Sequence, residues 1–323
     1  MPSFHASVLL VAAFSADSLE HPQLHRRALE RLGCRVATLD LDSGPGWIGR
    51  LLGRTSLQHR FDRAIARHRP DLVLVLDAPE RPAETIAPLR NGSSAKWICW
   101  SAEASGPERL AALRAAAPAF DAVFVGGTDA ATALDSVGVP RASYLPAGCD
   151  PSVHRPLRAR NQFRANVVFA GRATPRRARL LAELAEFGLA LWGPGWRHTP
   201  LRDYCRGERL SLSDYVRAYA GASVAINLRR EPQSPAAGCN RRLFELAAIG
   251  VPQVAECCAD LPLHFTPGKE ILVFNHESEL KPLVRETLQD PAAAGQVASA
   301  ARRRALTEHT LMHRMVSLLS HAL

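Results

Sequence analysis

Apolar residues occur along this chain in short unbroken runs, and between the runs they recur every three or four positions. In the first half the runs are "SVLLVAAF" (7–14), "RVATLDL" (35–41), "DLVLVLD" (71–77), "KWICW" (96–100), "AVFVG" (122–126) and "ASYLPA" (142–147). Each has the length of a strand, and a run without polar alternation suits a strand buried on both faces. The intervening "HPQLHRRALERLG" and "SLQHRFDRAIARHRP" place apolar residues at helical spacing. Such strands separated by helices predict a Rossmann-like parallel sheet covered on both sides.

The rhythm breaks at "PAGCDPSVHRPLRARNQ" (146–162), where Pro146, Pro151, Pro156 and a polar run mark a linker. It restarts with "NVVFAG" (166–171), "LALWG" (189–193), "SVAINL" (223–228), "PQVAE" (252–256) and "ILVF" (271–274), with "SDYVRAYAGA", "NRRLFELAAIG" and "ESELKPLVRETLQD" as helices between. A chain of 323 residues exceeds the usual size of one core. The expected organisation is an N-terminal Rossmann-like domain over 1–155 and a C-terminal one over 156–306. A terminal helix, 307–323, has the option of rejoining the first. No sequence repeat links the halves. Two such domains are expected to face each other across a cleft. Open α/β sheets bind ligands outside the carboxyl ends of their strands, so the residues directly after each strand matter most.

Composition narrows the classes. With 47% hydrophobic and 22% charged residues the chain reads as a soluble globular enzyme. No apolar run reaches the roughly 18 residues of a membrane span. The opening "MPSFHASVLLVAAFSAD" lacks a basic segment before its apolar run, so it reads as a first strand and not a signal peptide. A cytoplasmic location is the expectation. Seven cysteines without CxxC spacing suit reduced thiols, not a disulfide frame or zinc site. The net charge of +9 raises nucleic acid as a partner. Only three lysines stand beside thirty-seven arginines, however, which suggests codon bias, and no basic stripe is interleaved with aromatics. Nucleic acid is not the expected partner.

Candidate chemistry gathers in the second half. In "FAGRATPRRARLLAEL", Gly171 permits a tight turn, a helix starts near Pro175, and Arg172, Arg176 and Arg177 add positive charge. Helix amides and guanidinium groups together suit a diphosphate, although the same arginines would serve as a solvated helix start. The segment is not a Walker A loop, and no GxGxxG follows the first strand. In "WGPGW" (192–196), Gly193 and Gly195 let backbone approach a flat ligand that Trp196 would line; a plain turn fits equally. "SVAINLRREP" ends at Asn227 and runs into Arg229 and Arg230. In "NRRLFELAAIG", Asn240 suits an N-cap, and Leu243, Phe244, Ala247 and Ala248 form a buried side. Glu245 there lies at pairing distance from both Arg241 and Arg242.

"NRRLFELAAIG" resembles the N-x-R-x-F-E-x-x-x-x-G block of glycosyltransferases of the spore-maturation (CgeB-like) type, within the GT-B superfamily. "FAGRATPRR" resembles their phosphate loop, and "DLPLHFTPGKEILVFNHESEL" their F-x-P-G-K-E-I segment. "EHTLMHRMVSLL" is similar to their terminal helix, and "FDAVFVGGTDAATALDSVGVPRASYLPAGCDP" to their interdomain crossover. The likeness covers 118–323 well and the first 117 residues in pattern only.

The resemblance implies a GT-B fold and metal-independent transfer of a sugar from a nucleotide-diphosphate donor, expected to be UDP-linked, to a hydroxyl acceptor. The nucleotide sugar is then a substrate, and no cofactor is expected. It also implies that Glu245 accepts hydrogen bonds from the donor ribose and that Arg172 clamps the diphosphate. Arg177 stands where relatives often carry a lysine. Asn240 and Arg242 complete the donor pocket, and Gly193 to Trp196 lie near the base. Many retaining GT-B enzymes carry a second glutamate eight residues before the ribose glutamate. That position is Ala237, which leaves the stereochemistry open.

A catalytic base would come from the first half, where Asp77 follows "DLVLVL" and Glu103 follows "KWICWSA". Capping or solvation accounts for either residue as well. "DLD" (40–42) imitates a DxD metal motif but follows a strand of the acceptor half, and no metal is assigned to it. His309 and His313, four apart on the terminal helix, are more in keeping with packing than with metal. Two rival readings are a nucleotide-sugar epimerase and a non-catalytic nucleotide-sugar-binding subunit.

Overall fold

The apolar runs become two six-stranded sheets, each parallel throughout. The computed structural model describes residues 2–14, 21–41, 53–77, 90, 93–103, 107–139, 142–229 and 238–323. The first sheet contains β1 (Ser7–Ala12), β2 (Arg35–Asp40), β3 (Leu72–Leu76), β4 (Lys96–Ser101), β5 (Ala122–Val125) and β6 (Ala142–Tyr144). Its order, β2-β1-β3-β4-β5-β6, is the flavodoxin-like one with a sixth strand added, and it reverses direction between β1 and β3. β1 and β3 are buried at every residue, which is why their sequences show no polar alternation.

The helices of this unit among the described residues are α1 (Pro22–Arg31), α2 (Gly53–His68), α3 (Pro107–Ala116), α4 (Thr128–Ser136) and, from the far end of the chain, α10 (Leu311–Ala322). Phe61 of α2 stacks on Trp97 of β4 with ring centroids 5.5 Å apart. α10 packs on α1, and Arg314 donates to the carbonyls of Pro146 and Ala147 at 3.0 and 3.1 Å. A buried guanidinium of this kind is stabilising only because its donors are matched.

The second sheet contains β7 (Ala165–Ala170), β8 (Leu189–Trp192), β9 (Cys205–Gly207), β10 (Ala222–Asn227), β11 (Gln253–Glu256) and β12 (Leu272–Phe274). Its order, β12-β11-β10-β7-β8-β9, is that of the dinucleotide-binding fold, with the reversal between β7 and β10. Its helices are α5 (Pro175–Ala182), α6 (Leu212–Ala220), α7 (Arg241–Ile249), α8 (Leu280–Gln289) and α9 (Pro291–Glu308). Two cores form, one on each face of the sheet, around Phe169 and Trp196 and around Trp192 and Tyr219. β9 had no sequence signal, because an exposed Arg206 between half-buried Cys205 and Gly207 in "YCRGE" makes no apolar run.

By contacts the chain divides into Met1–Ala147, Gln233–Asn240 and Leu311–Leu323 as one unit, and Gly148–Pro232 and Arg241–Thr310 as the other. No helix among the described residues is long and apolar enough to cross a membrane.

Candidate functional site

In the second unit the strand order puts the ligand-binding crevice outside the carboxyl ends of β7 and β10. Gly171 follows β7 there and leads into α5. Thr174 caps that helix by accepting from the Arg177 amide at 3.2 Å, and Pro175 opens it without a wasted N–H. Three arginines enter this turn, and the structure gives each a different task. Arg176 is bound to Glu256 at 2.9 Å and to Glu277 at 2.7 Å. Arg177 is buried and donates to the carbonyls of Arg172 and Leu228 at 3.1 and 3.0 Å, bracing the loop from beneath. Arg172 is exposed, and its guanidinium has no partner among the described residues. It is the side chain left to meet an anion at this helix start.

The "WGPGW" turn closes against this loop through backbone. Gly171 donates to the Trp192 carbonyl at 2.8 Å and Ala173 to the Pro194 carbonyl at 3.0 Å. Gly193 lies at φ +128°, and a Cβ there would sit 2.2 Å from the Gly171 carbonyl oxygen. Trp196 needs a correction. It was expected to line a ligand surface, but it is fully buried, and its indole N–H donates to the Gly171 carbonyl at 2.7 Å. Its ring fills the core edge-on to Phe169, with centroids 5.9 Å apart. A flat, apolar ring with one donor is placed best inside when that donor has an internal acceptor.

α7 brings the opening arginines and Glu245 together, and Asn240 immediately precedes its first residue. Glu245 is only 2% exposed. Its Oε2 accepts from the Tyr215 hydroxyl at 2.6 Å, and its Oε1 lies 3.0 Å from Arg241 Nε. His154 Nε2 stands 3.7 Å from the same Oε1. His154 Nδ1 accepts from the Asp150 amide at 3.0 Å, which leaves Nε2 as the protonated nitrogen of a neutral ring. Burial pushes His154 below its ordinary value; the Glu245 carboxylate opposes this and Arg241 adds to it. Burial, then the Glu245 carboxylate, push the Tyr215 phenol well above its ordinary value, so it stays a donor.

Arg242, the other arginine within reach of Glu245 in sequence, bonds Tyr215, feels the Glu245 carboxylate and packs against Phe169. Its guanidinium lies 5.4 Å from the Phe169 centroid, and Arg177 lies 5.3 Å from the same ring. Burial alone would push Arg242 down, but Tyr219, Tyr215 and Glu245 outweigh it and hold the cation above its ordinary value. Its Nε makes no hydrogen bond among the described residues, and its Nη2 is 3.4 Å from where a Gly171 side chain would begin. Gly171, Arg177, Arg242, Phe169 and Trp196 thus share one neighbourhood. Cations outnumber carboxylates there, and low-dielectric surroundings favour an added anion. Arg229 is positioned by its amide, which donates to Glu256 Oε2 at 3.1 Å, and by Nη1 donating to the Cys257 carbonyl at 3.4 Å.

Tyr215, Tyr219 and His154 were missed in the sequence. The tyrosines had a signal: they are four apart in "SDYVRAYAGA", on one helix face. His154 sits in a proline-rich turn and had none.

In the first unit Asp77 and Glu103 follow the adjacent strands β3 and β4. Asp77 holds φ +54°, accepts from Ser101 Oγ at 2.7 Å and pairs with Arg109 at 2.9 Å through the same Oδ1. Glu103 is half-buried. Asp40 ends β2 and accepts from the Phe14 amide at 3.0 Å, whereas Asp42, Arg230 and Ala237 lie outside the described residues. His309 Nε2 meets the His264 carbonyl at 3.0 Å, inside an aromatic cluster with Phe244 and Phe265. Among the described residues no three His, Cys, Asp or Glu side chains are grouped to hold a metal ion.

Comparison with known proteins places this geometry. Residues 176–320 match the family model described as glycosyl transferase-like. No curated protein matches the sequence. Among solved structures, the sucrose-phosphate synthase of Thermosynechococcus elongatus is similar over 98% of this chain and 99% of its own, at 15% identity and TM-score 0.70. HepE of Anabaena, in complex with UDP and glucose, is similar over 99% and 100% at 14% identity and TM-score 0.67. A glycosyltransferase of Rickettsia africae follows over 98% of both chains, at 12% identity and TM-score 0.68. The chain has the α/β, two-sheet GT-B fold of these structures.

Proposed function

We propose that this protein is a glycosyltransferase that moves a sugar from a nucleotide-diphosphate donor to a hydroxyl acceptor. The reading is carried by the crevice at the β7–β10 reversal. There a buried carboxylate, Glu245, and several guanidinium groups accompany a helix start whose Arg172 has no partner among the described residues. A pentose and a pyrophosphate are the two parts of a sugar nucleotide that such a set matches. The family match over 176–320 supports the same class. The donor is UDP-linked in this reading, supported by HepE structures holding UDP or UDP-glucose. The motif series "FAGRATPRR", "NRRLFELAAIG" and "FTPGKEI" supports the spore-maturation type.

The second unit would hold the donor and the first the acceptor, in the cytoplasm and without a metal. The acceptor oxygen attacks the anomeric carbon, the bond from that carbon to the diphosphate breaks, and the nucleoside diphosphate leaves. The guanidinium charge, Arg172 above all, stabilises the leaving diphosphate. The hydroxyl proton passes to a carboxylate, with Asp77 and Glu103 as the candidates.

Burial of Glu245 favours a second assignment, in which it serves only Arg241 and Tyr215 inside the unit. Calorimetry separates the two. Under the first, UDP binds more tightly than its 2′,3′-dideoxyribose analogue, and Glu245→Gln abolishes the difference while Arg172→Ala weakens UDP more than uridine. Equal affinity of the wild type for both nucleotides would remove the ribose assignment. Equal losses of UDP and uridine in Arg172→Ala would remove the diphosphate contact.

A further inference from the structure

The first unit contains a cavity of about 480 Å³ that the donor site does not use. It opens beside the carboxyl ends of β1 and β2, where Phe14 and Asp40 lie, the edge at which open α/β sheets receive ligands. One face of α2 supplies Arg60, Arg63, Arg67 and His68 to its lining. The three arginines are spaced three and four apart, so they line up along the helix over about 10 Å. Like charges on successive turns repel, and such a row weakens a helix unless something neutralises it.

Among the described residues no carboxylate pairs with Arg63 or Arg67. Asp40 is the sole carboxylate of the lining among the described residues, and its Oδ1 already accepts from the Phe14 amide at 3.0 Å. Arg60 is anchored by donating to the Asp40 carbonyl. Arg63 and Arg67 are exposed, and their guanidinium groups have no partner among the described residues. The C-terminal end of α2 favours cations in its last turn, which accounts for Arg67 and His68. Arg60 and Arg63 lie earlier and gain nothing from it. Arginine is the usual cation of this chain, so the positions and not the residue type point to a ligand.

We propose that this groove binds the phosphate or carboxylate group of a small molecule, with Arg63 and Arg67 as its direct ligands and Arg60 fixing the floor. Such a group has two sources: an anionic acceptor sugar, or a free anion that regulates turnover. Only the first rests on the transferase reading.

Hydrogen exchange read by mass spectrometry, with inorganic pyrophosphate as probe, tests binding whether or not a donor binds elsewhere. Protection of peptides covering 35–41 and 57–68 is expected. The pyrophosphate concentration for half-protection should rise about tenfold in Arg63→Ala/Arg67→Ala, whose side chains are exposed in the fold. Equal half-protection in the variant, equal protection by chloride at matched ionic strength, or protection confined to 171–179 would each overturn the proposal. The last would leave the donor site standing. Turnover then separates the sources. If glucose 6-phosphate yields a heavier glycosylated product with a KM raised in the double variant, the acceptor carries the anion. If pyrophosphate changes the rate of UDP-glucose hydrolysis in the wild type but not in the double variant, the anion is a regulator.

Discussion

At the residue scale the candidate donor site is an exercise in keeping one carboxylate in place. Glu245 is fastened by Tyr215 from α6 and by Arg241 from its own helix, and a neutral His154 stands behind it. A buried carboxylate is tolerable only when donors and cations surround it, and a hydrogen bond to it such as that from Tyr215 contributes about 1.5–3 kcal/mol. The neutral state of His154 has a consequence for stability. Its native pKa lies below the ordinary 6.5, so the unfolded chain takes up this proton first as pH falls. Its contribution is therefore complete above about pH 6.5 and is lost as pH falls from there toward the depressed native value. His154→Asn keeps an acceptor for the Asp150 amide and removes the titration. In urea titrations from pH 7.5 to 5, the wild type should lose more stability on acidification than this variant. Parallel losses would show that His154 takes up its proton alike in the native and unfolded chain.

At the scale of elements, the turns after β7 and β8 are a single piece of backbone work. Gly193 is required twice, by φ +128° and by the Gly171 carbonyl 2.2 Å from any added Cβ. Gly193→Ala should therefore cost more than about 2 kcal/mol in denaturant unfolding. Gly138→Ala provides the control, because Gly138 has a positive φ, +76°, but open space around it. It should cost only the conformational part, about 1 kcal/mol. Equal losses in the two would mean that the loops do not touch through backbone. This explains what the sequence disclosed and what it hid. "SVLLVAAF" and "DLVLVLD" announce strands because both faces of β1 and β3 are buried and no polar alternation interrupts them. The nearness of Arg241 and Glu245 is likewise local, one helical turn apart. Trp196 misled because a glycine-flanked aromatic looks the same whether it faces ligand or core, and only the Gly171 carbonyl decides. Tyr215 and His154 reach Glu245 across 30 and 91 positions of chain, a pairing that periodicity cannot report. Arg172, Arg176 and Arg177 were indistinguishable until Glu256, Glu277 and the Leu228 carbonyl claimed two of them.

At the scale of the whole molecule, the two sheets differ in strand order, and the difference assigns work. The second has the order of dinucleotide binders and places its reversal between β7 and β10, where guanidinium groups exceed carboxylates. The first reverses between β1 and β3 and presents carboxylates there and on neighbouring β4, Asp77 with Arg109 and Glu103 beyond it. A nucleoside diphosphate should thus stabilise the molecule through elements of the second unit. At about 100 times its dissociation constant a ligand adds about 2.7 kcal/mol, which for a unit of this size raises the melting temperature by roughly 5–10 °C. A thermal-shift panel of UDP-, GDP-, TDP- and CMP-sugars should give its largest rise with a UDP-sugar. Hydrogen exchange under that ligand should show its strongest protection between 167 and 256. A larger rise with CMP-sugar, which has one phosphate, would contradict a crevice built for two, because the surplus positive charge around Phe169 and Arg172 is matched only by a diphosphate. Absence of any shift would return Glu245 to the role of internal counter-ion and leave the second sheet's order without a ligand.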